Sequence, residues 1–305
     1  MRGASLQMFR EMGDRFGLVL ALQMLSLAKF SRGHFDEAAE LIAELIQAAT
    51  ETKQMDKVSP AYVDMANIRI IRGQFQDAER QLAASKAVLD GLGDAAPPFR
   101  WAEYTNSLGD LARARGDLDR AEQLYHQSIV LMNDTNHLPM IGYPILNLGR
   151  VAYLRQDYEE AAQRAEEARQ RFERGGAEPR AGALASNLVA LVATAQGNLN
   201  QAREALAQAF SIIRGMRYPP ATLETFIALA DLLAAEGQIE RAVELLALIE
   251  SHPMTAEEFR AWVHQRLEGL EDQLDPPAFA AAIERGQALD LEAVLADQVA
   301  AYLPA

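Results

Sequence analysis

The chain has 305 residues, of which half are hydrophobic and none is cysteine, so it can bury a sizeable core but can form neither a disulfide bond nor a thiolate metal site. Its formal net charge of −14 argues against a general nucleic-acid binder, which needs a basic surface to neutralise phosphates. Because no apolar run approaches the roughly 20 residues of a membrane span, and the start lacks the features of a signal peptide, we expect a cytoplasmic protein without a membrane or nucleic-acid partner.

The N-terminal segment, residues 1–15, predicts the second helix of a truncated preceding repeat, followed by its loop. One short phrase then recurs six times between residues 16 and 250, as in "RGHFDEAAE" from Arg32 and "RGDLDRAEQ" from Arg115. Its turn residues lie 40 to 43 residues apart, at Gly33, Gly73, Gly116, Gln156, Gly197 and Gly237. An alanine follows each turn five residues later. So regular a period predicts a repeat protein rather than two globular domains.

Each repeat predicts a pair of amphipathic helices, because apolar residues recur at helical spacing before and after the turn. Glycine at the turn avoids the cost of a left-handed backbone, so Gln156 is predicted to be mildly strained. Asp117, Asp157 and Asn198 follow their turns directly and are predicted to cap the next helix. The small alanine predicts a close crossing of the two helices.

The C-terminal segment, residues 251–305, lacks the turn phrase. It begins with one extra predicted helix, "TAEEFRAWVHQRLEGLEDQL", and continues with two short amphipathic helices that we predict to be joined at Arg285–Gly286. We expect these helices to cap the end of the stack. The sequence as a whole therefore predicts an all-α fold, a right-handed α-solenoid of about six helix pairs with C-terminal capping helices.

Two sets of residues resemble a known repeat. The Leu-Gly pairs Leu108–Gly109 and Leu148–Gly149, together with the six turns and the six alanines, resemble the tetratricopeptide repeat (TPR). The period of about 40 residues is longer than the usual TPR period of about 34 residues. The extra residues fall between the repeats, where they should lengthen the helices or the loops that join them.

A narrower resemblance lies at the two ends of the chain. The opening "FREMGDRFGLVLALQMLSLA" and the closing pattern that includes Phe279, Ala282 and Gly286 resemble the C-terminal repeats of bacterial STAND regulators, the signal-transduction NTPases with numerous domains. This resemblance implies that the chain is a sensor for a protein or peptide trigger, with upstream NTPase and effector domains as partners in the same polypeptide. The alternative is a free-standing TPR scaffold or peptide receptor.

The sequence lacks the common motifs of catalytic, cofactor-binding and metal-binding sites. It contains no P-loop, no dinucleotide-binding G-x-G-x-x-G, no H-E-x-x-H and no G-x-S-x-G, and no two histidines stand at metal-ligand spacing. We therefore expect no enzyme activity, no catalytic residue, no metal site and no cofactor.

Surface residues of the first helices are the remaining candidates, because first helices line the concave side of stacked helix pairs and the resemblance implies that ligand contacts come from that side. The side chains predicted to bind the ligand are Asn67, Glu103, Asn106, Asp110, Arg113, Tyr143, Asn147, Arg150, Tyr153, Asn187 and Asp231.

The roles of these residues have alternatives. The four asparagines recur at intervals of about 40 residues and could either pair with an extended peptide backbone or hold neighbouring helices together. Arg113 and Arg150 could contact a carboxylate or phosphate, or could pair with acidic neighbours. Tyr143 and Tyr153 could anchor a ligand or pack between adjacent helices.

An apolar stretch from Leu20 to Phe30 is the last candidate. Its residues Leu20, Met24, Leu27 and Phe30 are predicted to share one side of the first helix. An exposed apolar surface there would be either a binding site or a surface that preceding repeats cover.

Overall fold

The computed structural model describes residues 2–133, 138–175, 179–216 and 218–303. The predicted terminal segments 1–15 and 251–305 therefore include Met1, Pro304 and Ala305, which lie outside the described residues. Within these ranges the chain forms sixteen α-helices and no strand, which confirms the predicted all-α fold. The helices are α1 (Arg2–Met12), α2 (Arg15–Phe30), α3 (Phe35–Glu51), α4 (Met55–Ile71), α5 (Phe75–Leu92), α6 (Pro98–Ala114), α7 (Leu118–Asn133), α8 (Leu138–Leu154), α9 (Tyr158–Gly175), α10 (Pro179–Ala195), α11 (Leu199–Ile213), α12 (Pro219–Ala235), α13 (Ile239–Ser251), α14 (Glu257–Glu271), α15 (Pro276–Gln287) and α16 (Leu291–Tyr302).

The six predicted turns join the six predicted helix pairs, from α2 with α3 to α12 with α13. Every turn residue has a positive φ, between 64° and 81°. In the third pair, the N–H groups of Gly116 and Asp117 donate to the carbonyls of Arg113 and Ala112, both at 2.9 Å, and so satisfy carbonyl groups that the end of the helix would leave unpaired. The turn is therefore a left-handed helix end that glycine adopts without steric cost.

The predicted strain at Gln156 is confirmed, because its φ is 64°. We expect the Gln156→Gly variant to raise the free energy of unfolding by about 1 kcal/mol, since glycine removes the clash of Cβ with the backbone in this region. Urea denaturation measures the change. Gln156→Ala is the matched control, because it shortens the side chain but keeps Cβ and should give no stabilisation. Equal stability of the glycine and alanine variants would contradict the strain.

The six alanines that follow the turns have no exposed surface, which agrees with the predicted close crossing of the two helices in each pair. Two of the three predicted caps are also confirmed. Asp117 and Asp157 accept hydrogen bonds from the backbone N–H groups of Arg120 and Glu160, each at 3.1 Å. The prediction for Asn198 is wrong, because its side chain makes no capping hydrogen bond.

The helices form two compact units, Met1–His137 and Leu138–Ala305, which we call unit 1 and unit 2. In unit 1 the first helices α4 and α6 pack against each other. In unit 2 the first helices α8, α10 and α12 pack side by side in that order. None of the described helices is both long enough and apolar enough to cross a membrane.

The C-terminal helices of unit 2 differ from the prediction in one respect. The joint between the two short helices is not at Arg285–Gly286, because α15 continues to Gln287 and α16 begins at Leu291. Gly286 instead lies where α15 packs on α13, and α16 packs on α11. A glycine near a helix end suggests a turn in the sequence, but here its missing side chain allows close helix packing.

Candidate functional site

An ion pair connects two first helices of unit 2 across the helix between them. Arg150 of α8 pairs with Glu224 of α12, and each side chain is 13% exposed. The helix α10 lies between α8 and α12 in the stack. Because the two side chains meet over α10, the three first helices present a common side, which we call the first-helix face of unit 2.

A second ion pair fixes α14 against this face. Arg266 of α14 donates from Nε and Nη2 to the two carboxylate oxygens of Asp231, at 2.6 and 2.8 Å. Its Nη2 also donates to the hydroxyl oxygen of Tyr153 on α8, at 3.2 Å. A guanidinium held in this two-point geometry is strongly oriented. The extra helix of the sequence therefore contributes directly to the first-helix face.

Burial and the neighbouring charges determine the protonation states of Tyr153 and Arg266. It raises the pKa of Tyr153 to about 12, and the negative charge of Asp231 acts in the same direction. Burial alone would lower the pKa of Arg266, but Asp231 and Tyr153 outweigh it and the pKa is raised. The hydroxyl of Tyr153 therefore keeps its proton, and Arg266 keeps its charge, throughout the neutral range.

A shallow pocket lies between the two ion pairs. Its cavity volume is about 10 Å³, which is room for about one water molecule. Arg150, Tyr153 and Glu224 stand at its edge, and the other lining side chains are apolar or aromatic, namely Leu188, Leu191, Ile227, Phe259 and Trp262. The pocket is therefore a small apolar depression beside charged groups. In the described part of the chain, no cluster of histidine and carboxylate side chains is arranged to bind a metal ion.

The contribution of α14 to the first-helix face was not predicted from the sequence. Phe259, Trp262 and Arg266 stand three and four residues apart and therefore share one face of this helix. The spacing was readable in the sequence, but nothing local showed that this face turns toward α8 and α12. Glu224 was outside the predicted ligand-binding set, and its ion pair with Arg150 confirms the alternative in which Arg150 pairs with an acidic neighbour.

The structure separates the four predicted asparagines by burial. Asn67 and Asn106 keep part of their surface accessible, whereas Asn147 and Asn187 are buried. Asn187 has no exposed surface, and neither its Nδ2 nor its Oδ1 has a hydrogen-bond partner among the described residues. Asn147 is also buried. These two residues are therefore not accessible on the first-helix face.

In unit 1, three predicted residues form a network with a buried tyrosine. Asn106 donates to Asp110 at 3.1 Å, and Asp110 accepts a hydrogen bond from the hydroxyl of Tyr125 at 2.8 Å. Arg113 donates to the same hydroxyl at 3.1 Å and is buried, so its predicted exposure to a ligand is wrong. The reason is that the ring of Tyr125 packs against Gly109 and offers Arg113 a partner inside the helix pair.

The other predicted residues of unit 1 lie nearer the surface. Glu103 accepts a hydrogen bond from Arg100 on the same helix at 2.7 Å, and both side chains are about one-fifth exposed. Asn67 is half-buried, and its Oδ1 has no hydrogen-bond partner among the described residues. The two residues therefore remain candidates for ligand contact.

The apolar stretch of α2 is exposed along most of its length. Leu20, Met24 and Leu27 are each more than half exposed, and so is Phe16, which the sequence analysis missed. Phe30 is not part of this surface, because its ring packs edge-on against the buried ring of Phe35 at 5.6 Å. Phe16, Leu20, Met24 and Leu27 therefore form an exposed apolar surface on α2.

Comparisons with solved structures agree with this fold. The Rap protein complexed with Competence and Sporulation Factor is 14% identical, with a TM-score of 0.64 over 93% of this chain and 76% of that chain. NprR in complex with its cognate peptide NprX is 14% identical, with a TM-score of 0.52 over 93% and 82%. BtubC from P. vanneervenii is 16% identical, with a TM-score of 0.52 over 79% and 92%. At these identities, the likeness shows the TPR-type helical repeat fold alone.

A comparison of the sequence with family models identifies the family of this chain. No curated protein matches the sequence significantly. The model of the MalT-like TPR region matches residues 91–269, which is more than half of the chain. The matched segment contains both ion pairs and every residue that lines the pocket. Together with the repeat fold, this match shows that the chain belongs to the family of MalT-like TPR regions.

Proposed function

We propose that the first-helix face of unit 2 binds a protein or peptide ligand, and that the chain is the non-catalytic sensor of a STAND regulator in the cytoplasm. One observation carries the proposal, namely the pocket that Phe259 and Trp262 line beside the Arg150–Glu224 ion pair. Aromatic side chains and arginine supply most of the binding energy in protein interfaces. A charged edge around an apolar centre also has the usual anatomy of such an interface.

The nature of the ligand is supported by two structures of the same fold. Rap is complexed with Competence and Sporulation Factor, and NprR is in complex with its cognate peptide NprX. A peptide ligand suits the first-helix face of unit 2, because an apolar side chain would pack on Phe259 and Trp262 while polar groups meet Arg150 and Glu224.

The match to the MalT-like TPR region supports a regulatory role. In the proposed sensor, ligand binding on the first-helix face favours one arrangement of the repeats and so shifts the state of an NTPase module in the same polypeptide. The alternative is a free-standing TPR scaffold or peptide receptor. A Walker-type P-loop in the same polypeptide, with nucleotide hydrolysis that changes on ligand binding, would support the sensor. Hydrolysis that does not respond to the ligand would favour the receptor.

The test is capture of a ligand from a lysate of the source cells, followed by measurement of its affinity with purified components. We expect the Arg150→Ala and Trp262→Ala variants each to weaken binding at least tenfold, since each removes a side chain from the edge or wall of the pocket. Isothermal titration calorimetry with the captured protein, or with a peptide from it, gives the dissociation constants.

The matched control is Arg171→Ala. Arg171 also pairs with a glutamate, Glu167, but lies on the second helix α9 and is 41% exposed. Its replacement should leave the affinity unchanged, because exposed ion pairs contribute little and the residue is outside the pocket. Equal affinities for all three variants and the unchanged chain would show that the ligand binds elsewhere.

A further inference from the structure

Arg180 lies at the beginning of α10, where three polar side chains from different segments meet. Its Nη1 donates to the hydroxyl oxygen of Tyr218 at 3.2 Å, and its guanidinium lies 5.4 Å from the centre of the same ring. The hydroxyl of Tyr143 on α8 also lies close to the guanidinium of Arg180 and raises its pKa. Tyr218 is buried, whereas Arg180 and Tyr143 each keep part of their surface accessible to solvent.

The charge of Arg180 has no acidic counterpart among the described residues. Arg150 and Arg266, the neighbouring arginines of the first-helix face, are each paired with a carboxylate. Arg180 contacts neutral hydroxyl groups instead, and its Nε is buried without a hydrogen-bond partner. Burying an unpaired charge is costly, so a site of this kind favours an anion that supplies the missing charge.

The tyrosine hydroxyl groups beside Arg180 can donate hydrogen bonds to an anion. A tyrosine hydroxyl that accepts a hydrogen bond from arginine can still donate its own hydrogen to a further group. Burial raises the pKa of Tyr218, so this hydroxyl keeps its hydrogen at neutral pH.

We propose that Arg180, Tyr143 and Tyr218 form a binding site for a single carboxylate group. The charge balance selects this chemistry over phosphate. The described site offers one uncompensated positive charge, because Glu224 already matches Arg150. A phosphate dianion would leave an excess negative charge in a protein whose net charge is −14.

The position of the site identifies what brings the carboxylate. Tyr143 and Glu224 both stand 13 residues before their turns, and Glu224 lines the pocket of the first-helix face. The charge of Glu224 also influences the ionisation of Tyr218, so the site and the pocket are close neighbours. Resting on the proposed function, this arrangement assigns the carboxylate to the ligand, with an apolar side chain beside it on Phe259 and Trp262.

Thermal unfolding with sodium acetate, compared with sodium chloride at equal ionic strength, tests the site without the ligand. We expect saturating acetate to raise the melting temperature of the full chain by about 3 °C, because binding to the folded state alone stabilises it. Arg180→Gln and the double variant Tyr143→Phe/Tyr218→Phe should both lose this increment. Arg203→Gln, which changes an exposed arginine of α11, should retain it.

Two outcomes would overturn the proposal. One is an acetate increment no larger than that of chloride, and the other is an increment that survives in the double phenylalanine variant while circular dichroism shows unchanged helix content. A larger increment with inorganic phosphate than with acetate would likewise reject a site for a single carboxylate. The double variant keeps both aromatic rings, so a loss of folding does not obscure the result.

Two further probes distinguish the sources of the carboxylate. N-acetyl-aspartate amide presents a side-chain carboxylate, and N-acetyl-alanine presents a C-terminal one. A larger increment with either probe supports the site and assigns the source. Because acetate binding needs no peptide, an acetate increment without any captured ligand would reject the proposed function but not the site.

Discussion

Replacing Gly286 by alanine is expected to lower the free energy of unfolding of unit 2 by about 3 kcal/mol, at the upper end of the cost of overpacking a helix contact. A Cβ at this position would overlap the backbone carbonyl oxygen of Glu244 and would lie 2.7 Å from the Cβ of Ala247. Backbone cannot rotate out of the way as a side chain can. The helix α15 must therefore move away from α13, and Ala282, which is fully buried one turn earlier, loses its close packing.

Urea denaturation of the full chain measures the loss, and limited proteolysis shows whether the segment from α15 onward is released. The matched control is Gly269→Ala in α14. No atom lies within 4 Å of the position where its Cβ would stand, so alanine should stabilise the helix by up to about 1 kcal/mol. Gly286→Ala and Gly269→Ala are thus expected to act in opposite directions. Changes of the same sign would contradict the close packing of α15 on α13.

Replacing Arg266 by methionine is expected to cost about 2 kcal/mol. Methionine keeps much of the apolar stem but leaves the carboxylate of Asp231 without its partner, on a face where that side chain is 20% exposed. A fully buried pair would cost about 3–5 kcal/mol to break, and partial access to water reduces this figure. The hydroxyl of Tyr153 also loses a donor. We therefore expect α14 to lose its fixed position on the first-helix face.

Two comparison variants make this result specific. Adding Asp231→Asn to Arg266→Met removes the uncompensated charge and should recover about half of the lost stability. Arg171→Met breaks a pair with Glu167 in which the two side chains are 41% and 40% exposed, and should cost less than about 0.5 kcal/mol. An Arg266→Met variant that is no less stable than Arg171→Met in urea would show that the ion pair does not hold α14.

The consequences for binding follow from the pocket. Phe259 and Trp262 form its wall on α14, and Arg266 of the same helix joins α14 to α8 and α12. A variant that loosens α14 should therefore weaken ligand binding even though Arg266 does not line the pocket. The affinity of Arg266→Met for the captured ligand compares this effect directly with that of Arg150→Ala.

Features that depend on neighbouring residues were predictable from the sequence. Gln156 repeats the turn position of five glycines, and its φ of 64° agrees with theirs. Asp117 and Asp157 cap helices that begin next to them. The alanine of each repeat is fully buried because the same two helices cross at the same place each time. Local geometry and a regular period were sufficient for these predictions.

Features that depend on how distant helices are rotated were not predictable. The asparagines share a sequence interval of about 40 residues, yet Asn147 and Asn187 are buried whereas Asn67 and Asn106 keep part of their surface accessible. Arg113 is directed into its own helix pair by the hydroxyl of Tyr125, twelve residues later in the chain. A helix side chain changes direction by about 100° with each residue, so small differences in register decide what it contacts.

The sequence by itself thus determined the repeat, its helix pairs, its turns and its alanine crossings, because these rest on backbone conformation and on contacts within about 40 residues. Only the tertiary structure decided that α14 lies on the first-helix face, that Arg266 joins Asp231 and Tyr153, and that Gly286 serves packing rather than a turn. The physical reason is that helix packing depends on the complementary shape of whole surfaces. That complementarity brings together residues up to 113 positions apart, which no local pattern encodes.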